Sequence, residues 1–258
     1  MTANYHTHTA RCRHASGSER EYIETAVSRG LDLLGFSDHT PQIFPKGYYS
    51  NYRMFPDETA GYFRTLRELK AEYSDRIEIK IGFEVEYYPA IFDDLIDFLG
   101  EYEPDYFVLG QHYIDNEFDT HIYSGASADE SALKRYVDQT LEALSTGKFS
   151  VFAHPDLINF STDDKIYERE MSKLCEGAKK LGIPLELNLL GLGEHRHYPR
   201  EDFWRIAAEV GNAVILGCDA HSPERVAKPD EIAEAIAYLS RFGIVPIDRL
   251  DLKNPCGK

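Results

Sequence analysis

Short apolar runs alternate with amphipathic stretches along this chain, and this alternation constrains the fold more than any other feature. Each run is too short for a helix and is rich in β-branched or aromatic residues, which favours buried strands. The candidate strands are residues 4–9, 31–39, 77–87, 106–114, 149–155, 184–190 and 213–221. Strands that alternate with helices predict a parallel sheet, and seven units favour a TIM-like barrel with one unit missing. A doubly wound open sheet is the alternative.

The amphipathic stretches between these runs carry signals for helix ends. Ser18 and Glu21 form a capping box at the start of one stretch, and Gly147, Gly182 and Gly211 follow others in the manner of C-caps. No linker, low-complexity tract or repeat interrupts the pattern. We therefore predict one α/β domain over residues 1–258.

Composition narrows the classes of partner. The chain has 44 acidic and 28 basic residues, and its formal net charge of −16 opposes binding to nucleic acid or to anionic lipid. No window approaches the roughly 18 apolar residues of a membrane helix, and no signal-peptide run follows Met1. Four scattered cysteines indicate neither a disulfide framework nor a thiolate zinc site. We expect a cytoplasmic protein without nucleic-acid or membrane partners, and the oligomeric state stays open.

Histidines and carboxylates recur where the candidate strands end. In a parallel βα fold these ends converge on one face, where such folds place their active sites. His14 lies a few residues beyond the first strand and adds a third histidine to the first fourteen residues. The other residues at or just past the strand ends are His6, His8, Asp38, His39, Glu84, His112, His154, Asp219 and His221.

The joint placement of these side chains indicates metal binding. A lone histidine at a strand end is more often structural, but many polar groups at equivalent points each need a partner, and metal ions supply one. In HTH and DAH the paired ligands are one residue apart, so both point to the same side of an extended strand. Seven histidines with Glu84 and Asp219 suggest two to three divalent metal ions, and the absence of thiolate favours Zn, Fe or Mn.

Spaced motifs extend this pattern over nearly the whole chain. They are HTHT at 6–9, SDHTP at 37–41, GFEVEYYP at 82–89, GQHYI at 110–114, AHPDL at 153–157, LELN at 185–188 and CDAHSP at 218–223. With them the sequence resembles the PHP (polymerase and histidinol phosphatase) family, and within it the histidinol-phosphatases. The resemblance implies a distorted (β/α)7 barrel with three metals at its C-terminal rim.

The resemblance also implies a distribution of the ligands. His6, His8, Glu84 and Asp219 would hold the first metal; Glu84, His112 and His154 the second; and His14, His39 and His221 the third. Glu84 and Asp219 then act in catalysis, because two cations bridged by Glu84 would acidify a shared water for in-line attack on phosphorus. Where the family often has serine before DAH, this chain has Cys218, which we interpret as a packing substitution.

Two segments are candidates for substrate contacts. Arg196 matches the arginine that precedes YP in the phosphatases, so the resemblance assigns it the role of a phosphate clamp, with Tyr198 beside it. His195 and His197 flank this arginine and either protonate the leaving alcohol or lie on the surface. The segment 45–56 places Lys46 and Arg53 among Tyr48, Tyr49 and Tyr52, and it either closes over an imidazole-bearing substrate or packs on the rim.

We therefore expect a phosphatase that hydrolyses L-histidinol phosphate, a small phosphate monoester of histidine biosynthesis. Asp38, Glu186 and Glu194 are the carboxylates expected to meet its ammonium group. A PHP-type phosphodiesterase or nuclease, or a phosphatase for another small metabolite, is the alternative. An amidohydrolase is disfavoured because that family bridges its metals with a carboxylated lysine, and purely structural metals because structural sites are usually closed and rich in cysteine.

Overall fold

A parallel sheet of seven strands forms the inner wall of the protein, in the order β1-β2-β3-β4-β7-β8-β9, and β5 and β6 form a separate antiparallel pair. The structure is a computed structural model, and it describes residues 1–257. The strands are β1 (Ala3–Asn4), β2 (Leu33–His39), β3 (Glu78–Val85), β4 (Tyr106–Leu109), β5 (Tyr113–Ile114), β6 (Ile122–Tyr123), β7 (Val151–Phe152), β8 (Leu185–Asn188) and β9 (Val214–Gly217).

Helices lie between successive strands and cover the outside of this wall. They are α1 (Glu19–Ser28), α2 (Thr59–Glu72), α3 (Phe92–Gly100), α4 (Glu130–Ser145), α5 (Asp164–Lys180), α6 (Leu189–Gly193), α7 (Glu201–Val210) and α8 (Pro229–Ser240). The capping box of Ser18 and Glu21 is present at the start of α1, as the sequence predicts. Within residues 1–257, no helix is long and apolar enough to cross a membrane.

The wall is a nearly closed barrel, and its two edge strands meet without a regular ladder. At the C-terminal rim, Thr7 bridges Ala220, and the amide of His8 donates to the Ala220 carbonyl at 3.0 Å. Below this bridge, Ile247 of the C-terminal segment pairs with Ile215 of β9 and covers the remaining gap. The seven-unit TIM-like barrel is therefore confirmed, and the open doubly wound sheet is excluded.

Side chains fill the barrel interior, so the lower barrel is a packed core. The hydroxyl of Tyr106 donates to the carbonyl of Tyr5 at 2.6 Å, across the inside of the wall. Gly35 makes room for this ring, because a Cβ at that position would collide with the Tyr106 hydroxyl. Polar functional groups are consequently restricted to the C-terminal rim above this core.

The fourth candidate strand, residues 106–114, is split in the structure. β4 ends at Leu109, and Tyr113–Ile114 pair in antiparallel fashion with Ile122–Tyr123. The side chain of Gln111 donates to the carbonyl of Tyr113 at 2.7 Å and holds the intervening turn. The first and fifth strands are also shorter than predicted, with two residues each. The prediction of continuous strands was wrong here. At the rim, backbone groups of these segments form hydrogen bonds with side chains and loops, and no longer with neighbouring strands.

Candidate metal centre

All nine predicted ligands lie together at the C-terminal rim of the barrel. The register of β2 on β3 sets His39 opposite Glu84, and the bridge between Thr7 and Ala220 brings His6 and His8 to Asp219 and His221. We call His6, His8, Glu84, His112, His154 and Asp219 the inner group, and His14, His39 and His221 the outer group.

Nitrogen and oxygen atoms of the inner group face one another at the spacing of metal ligands. The Nε2 atoms of His6 and His8 are 3.2 Å apart. Oδ1 of Asp219 lies 3.0 Å from Nε2 of His8 and 3.6 Å from Nε2 of His6. Atoms that share one tetrahedral zinc at about 2.0–2.1 Å are about 3.4 Å apart, so these three atoms fit a single cation.

Glu84 lies between the two sides of the inner group. Its Oε1 is 2.9 Å from Nε2 of His154 and 3.5 Å from Nε2 of His112. Its Oε2 is 2.9 Å from Nδ1 of His39 and 3.6 Å from Nε2 of His8. Because its two oxygens face different histidines, this carboxylate has the geometry of a bridge between two cations.

The outer group lies closer to solvent. Nε2 of His14 and Nε2 of His221 are 2.9 Å apart, and both rings face that of His39 within 6.2 Å between centroids. His14 is exposed, whereas His39 is buried. One ligand atom from each of the three side chains lies within 4.8 Å of the other two, so a single ion could contact all three.

Unsatisfied buried atoms test whether the cluster fits metal ions. Nδ1 of His154 is buried without a hydrogen-bond partner. Oε2 of Glu84 accepts no well-aligned hydrogen bond, although Nδ1 of His39 lies 2.9 Å from it. Such atoms are costly unless another group satisfies them. The facing Nε2 atoms of His14 and His221 have the same requirement, because both rings donate through Nδ1 and the lone pairs on the two Nε2 atoms repel. The donor set of imidazole and carboxylate therefore fits divalent metal ions.

Charge in the cluster separates the protonation states of its members. Burial opposes ionisation of Glu84, but His112, His39 and His6 outweigh it and hold the pKa of this carboxyl well below its usual range. Burial and the neighbouring charge of His8 lower the pKa of His221 to about 3. Near pH 7, Glu84 is thus an ionised carboxylate and His221 a neutral imidazole, and these are the forms that bind metals.

Three buried carboxylates orient histidines of the inner group from behind. Nδ1 of His6 donates to Glu186 at 2.8 Å, and Nδ1 of His112 donates to Glu86 at 2.8 Å. Nδ1 of His8 lies 3.4 Å from Asp38. Carboxylates at this position fix the ring and make the opposite nitrogen a stronger ligand.

These contacts correct the predicted role of two rim carboxylates. Asp38 and Glu186 are fully buried behind the histidines and bond to them, so neither is available to a substrate ammonium group. Sequence reasoning did not identify Glu86 as a functional residue. Its position two residues after Glu84, just past the end of β3, was the available signal.

Two glycines and two strained residues show how closely the backbone approaches the cluster. A Cβ on Gly110 would overlap the carboxylate of Glu84, and one on Gly217 would overlap that of Glu186. His154 and Asp219 have positive φ angles of 32° and 47°, which are rare for residues other than glycine. Backbone strain of this kind concentrates at functional sites.

A cavity of about 370 Å³ opens above the cluster. Arg196 and Tyr198 form part of its wall, as predicted for substrate-binding residues. Nη2 of Arg196 donates to Glu194 at 2.6 Å and Nη1 to the Tyr198 hydroxyl at 3.0 Å. These contacts hold the guanidinium beside the metal ligands while it stays partly exposed to the cavity.

Comparison with known proteins identifies the family. The model of the PHP domain family matches residues 4–189, more than half of the chain. The chain belongs to the PHP family. The match includes seven of the nine clustered ligands, and Asp219 and His221 follow it on the last strand unit.

Curated relatives of this PHP protein are named as phosphatases. A probable histidinol-phosphatase of Deinococcus radiodurans is 29% identical over 236 residues, which cover 86% of each chain. A histidinol-phosphatase of Bacillus subtilis is 25% identical and covers 84% of this chain and 92% of its own.

A solved structure with this fold comes from Lactococcus lactis. It is a histidinol phosphate phosphatase in complex with zinc, L-histidinol and phosphate. It superposes with a TM-score of 0.72 at 19% identity and covers 95% of both chains. At this identity the likeness establishes the PHP barrel fold.

Within the PHP barrel, the segment 45–56 contributes less to the cavity than predicted. Tyr52 lines the cavity, but Lys46, Tyr48 and Tyr49 do not. Arg53 is buried beneath the rim, where its guanidinium bonds to Glu86 and Glu117, so the predicted substrate contact of Arg53 is wrong.

The histidines beside Arg196 also lie outside the cavity wall. Nε2 of His197 is bonded to the carbonyl of Leu157 at 2.7 Å, and His195 is exposed. Neither is positioned to protonate a leaving alcohol. Tyr113 and Tyr123 of the β5–β6 hairpin line the cavity instead, and sequence reasoning did not assign them a role.

Two cysteines lie near the cluster. Cys218 points into the protein core, where its Sγ accepts from the amide of Ala227 at 3.1 Å, which agrees with a packing role. Cys12 departs from the expectation of a centre without thiols, because its Sγ lies within 4.8 Å of ligand atoms of His8 and His221. Burial raises the pKa of the Cys12 thiol, so it remains protonated at neutral pH.

Proposed function

We propose that this protein is a metal-dependent phosphomonoesterase that hydrolyses L-histidinol phosphate to L-histidinol and phosphate. The observation that carries the proposal is the convergence of nine histidine and carboxylate side chains, six of which line a cavity whose wall also contains Arg196. The names of the curated relatives support the substrate. We also propose that residues 1–258 form one functional domain.

The inner and outer groups together would hold two to three divalent metal ions, of Zn, Fe or Mn. His6, His8 and Asp219 would hold the first, His112 and His154 the second, and the outer group the third, with Glu84 between the first two. When bound, such ions polarise phosphoryl oxygens and make water a stronger nucleophile at neutral pH. The zinc in the Lactococcus lactis enzyme supports this choice of metals.

The residues of the chain itself bind and orient the phosphate. Arg196 donates to the phosphoryl oxygens and stabilises the charge that develops as the ester bond breaks. Glu194 and Tyr198 hold the guanidinium from the other side, so little side-chain freedom remains to be lost when substrate binds. Among residues 1–257, Arg196 is the only arginine in the wall of this cavity, and no lysine lines it.

The remainder of the cavity suits a small cationic alcohol. Tyr52, Tyr113 and Tyr123 present aromatic rings to an imidazole, and Glu194 presents a carboxylate toward an ammonium group. A net charge of −16 disfavours a polyanionic substrate. A phosphodiesterase or nuclease is the alternative in the same family.

Steady-state kinetics on three substrates test the proposal. We expect kcat/KM for L-histidinol phosphate to exceed the values for nucleoside monophosphates and for bis-(p-nitrophenyl) phosphate by at least about a hundredfold. The Glu84→Gln variant, purified in parallel, controls for a contaminating phosphatase. Equal values for all three substrates, or faster cleavage of the diester, would favour the phosphodiesterase.

A further inference from the structure

A buried arginine outside the cavity bonds to a carboxylate that orients a predicted metal ligand. Arg53 is only 2% exposed, and its Nη2 contacts Oε2 of Glu86 at 2.6 Å and Oε2 of Glu117 at 2.7 Å. The other oxygen of Glu86 accepts from Nδ1 of His112 at 2.8 Å. A continuous chain of charged contacts therefore runs from Arg53 through Glu86 to His112.

The surroundings of Arg53 fix the guanidinium in one place. Its Nη1 donates to the carbonyl of Thr40 at 3.2 Å, and its Nε donates to the hydroxyl of Ser50 at 3.3 Å. The plane of the group is thus set by two residues of the segment that links β2 to α2. Only a planar fork with several donors makes all of these contacts at once.

The carboxylate of Glu86 would be poorly placed without this arginine. It is buried, and besides His112 it receives hydrogen bonds from Arg53 and from the hydroxyl of Tyr88. Without the contact from Nη2 of Arg53, this carboxylate either rotates or shifts toward solvent, because its strongest fixed partner is gone. Either change weakens the hold on Nδ1 of His112 and turns Nε2 of this ring away from Glu84, which now lies 3.5 Å from it.

We propose that Arg53 is a positioning residue for the metal centre. Through Glu86 it sets the orientation of His112, and so the strength of metal binding on the side of Glu84 that faces His112 and His154. The inference rests on the proposed metal dependence. It assigns a role to a residue that touches neither metal nor substrate.

Transfer of metal from the purified holoprotein to a chelator tests this role. Arg53→Lys keeps the positive charge and loses the planar fork, and Glu86→Gln removes the carboxylate that bonds to His112. We expect each variant to release one metal equivalent about 10- to 100-fold faster than the wild type, with the other equivalents unchanged. The double variant should release metal no faster than Glu86→Gln alone, because Arg53 acts through Glu86.

Arg200→Lys is the matched control. The guanidinium of Arg200 also lies in a partly buried position, over the ring of Tyr167, but it contacts none of the nine clustered ligands. This variant should release metal at the wild-type rate, even where its thermal stability falls. If Arg53→Lys does not fold, Arg53→Gln keeps a hydrogen-bond donor at this position without the charge and should also accelerate release of the same equivalent about tenfold.

The outcomes separate the two proposals. Wild-type release from Arg53→Lys, or independent effects of Arg53→Lys and Glu86→Gln in the double variant, would overturn the positioning role and leave the proposed function intact. If Arg53→Gln takes the place of Arg53→Lys, wild-type release from it has the same meaning. A wild-type protein that binds no metal would overturn the proposed function and this inference together.

Discussion

The two groups of the metal centre differ in what supports their histidines. In the inner group, Nδ1 of His6 and Nδ1 of His112 are bonded to buried carboxylates. In the outer group, Nδ1 of His14 is bonded to the carbonyl of Cys12 and Nδ1 of His221 to the carbonyl of Asp219. A carbonyl fixes a ring without adding charge, whereas a carboxylate also strengthens the ligand. The inner group should hold its metals more tightly.

The pKa values of the histidines follow the same division. Burial alone would lower the pKa of His8, but hydrogen bonds to Asp219 and Asp38 raise it to about 9. Burial lowers the pKa of His14, with little compensation from carboxylates. The outer rings of His14 and His221 are therefore neutral at neutral pH, the form that binds a cation. We expect the outer site to exchange its metal faster, because its rings lack the carboxylate partners of His6 and His112.

The largest expected effect follows from replacing the carboxylate between the two sides of the inner group. Glu84→Gln keeps the shape of the side chain but removes its charge, so we expect kcat/KM to fall by at least about a thousandfold and the inner metals to be lost. Glu78→Gln, an exposed position on the same strand, is the control. A loss below tenfold in steady-state assays would show that Glu84 does not bridge.

A smaller effect is expected outside both groups, at the phosphate clamp. Arg196→Ala should reduce transition-state binding by roughly 2–4 kcal/mol, measured from kcat/KM, because a charged donor to the phosphoryl group is lost. Metal content should stay at the wild-type value. Arg205→Ala, on the exposed face of α7, controls for the loss of a surface arginine. An unchanged kcat/KM would remove Arg196 from the site.

Removing one support from the inner group sharpens the comparison. Glu186→Gln should weaken binding of one inner metal by about 10- to 100-fold, since His6 loses its charged partner.

His14→Ala should abolish binding of the outer metal and leave the inner metals in place. Competition with a chelator, followed by elemental analysis, measures both. Loss of the inner metals from His14→Ala would show that the two groups do not bind independently.

The smallest effect is expected at Cys218, next to the ligand Asp219. Because its sulfur is packed in the core, Cys218→Ala should lower the free energy of unfolding by about 1 kcal/mol and leave metal content and kcat unchanged. Chemical denaturation and elemental analysis measure these two quantities. Loss of a metal equivalent from Cys218→Ala would show that Cys218 is a ligand, and the division into an inner and an outer group would then be incomplete.

The ligands were predictable because strand ends impose their positions locally. In HTH and DAH the spacing alone sets two side chains on one side of the chain, and parallel strand order brings distant motifs to one rim. The family match then confirmed the resemblance that these motifs carry. The strand lengths were not predictable, since β1 and β7 stop where loop and side-chain contacts replace ladder bonds.

The supports behind the ligands could not be read from the sequence. Glu186 lies 180 residues from His6, and no local spacing links them. Arg53 was expected near the substrate because it lies among tyrosines in a loop that could close over the site, and only the three-dimensional structure shows two buried carboxylates around it. The β5–β6 hairpin was hidden because its strands are two residues long and follow β4 closely.

Stepwise removal of metal from protein purified without chelator, with metal content and activity on L-histidinol phosphate measured at each step, tests the metal centre most directly. We expect two to three equivalents at the start, the outer one to leave first, and activity to disappear as the inner group empties and to return when metal is restored. Less than one equivalent at the start, with full activity after exhaustive chelation, would contradict a metal-dependent phosphatase.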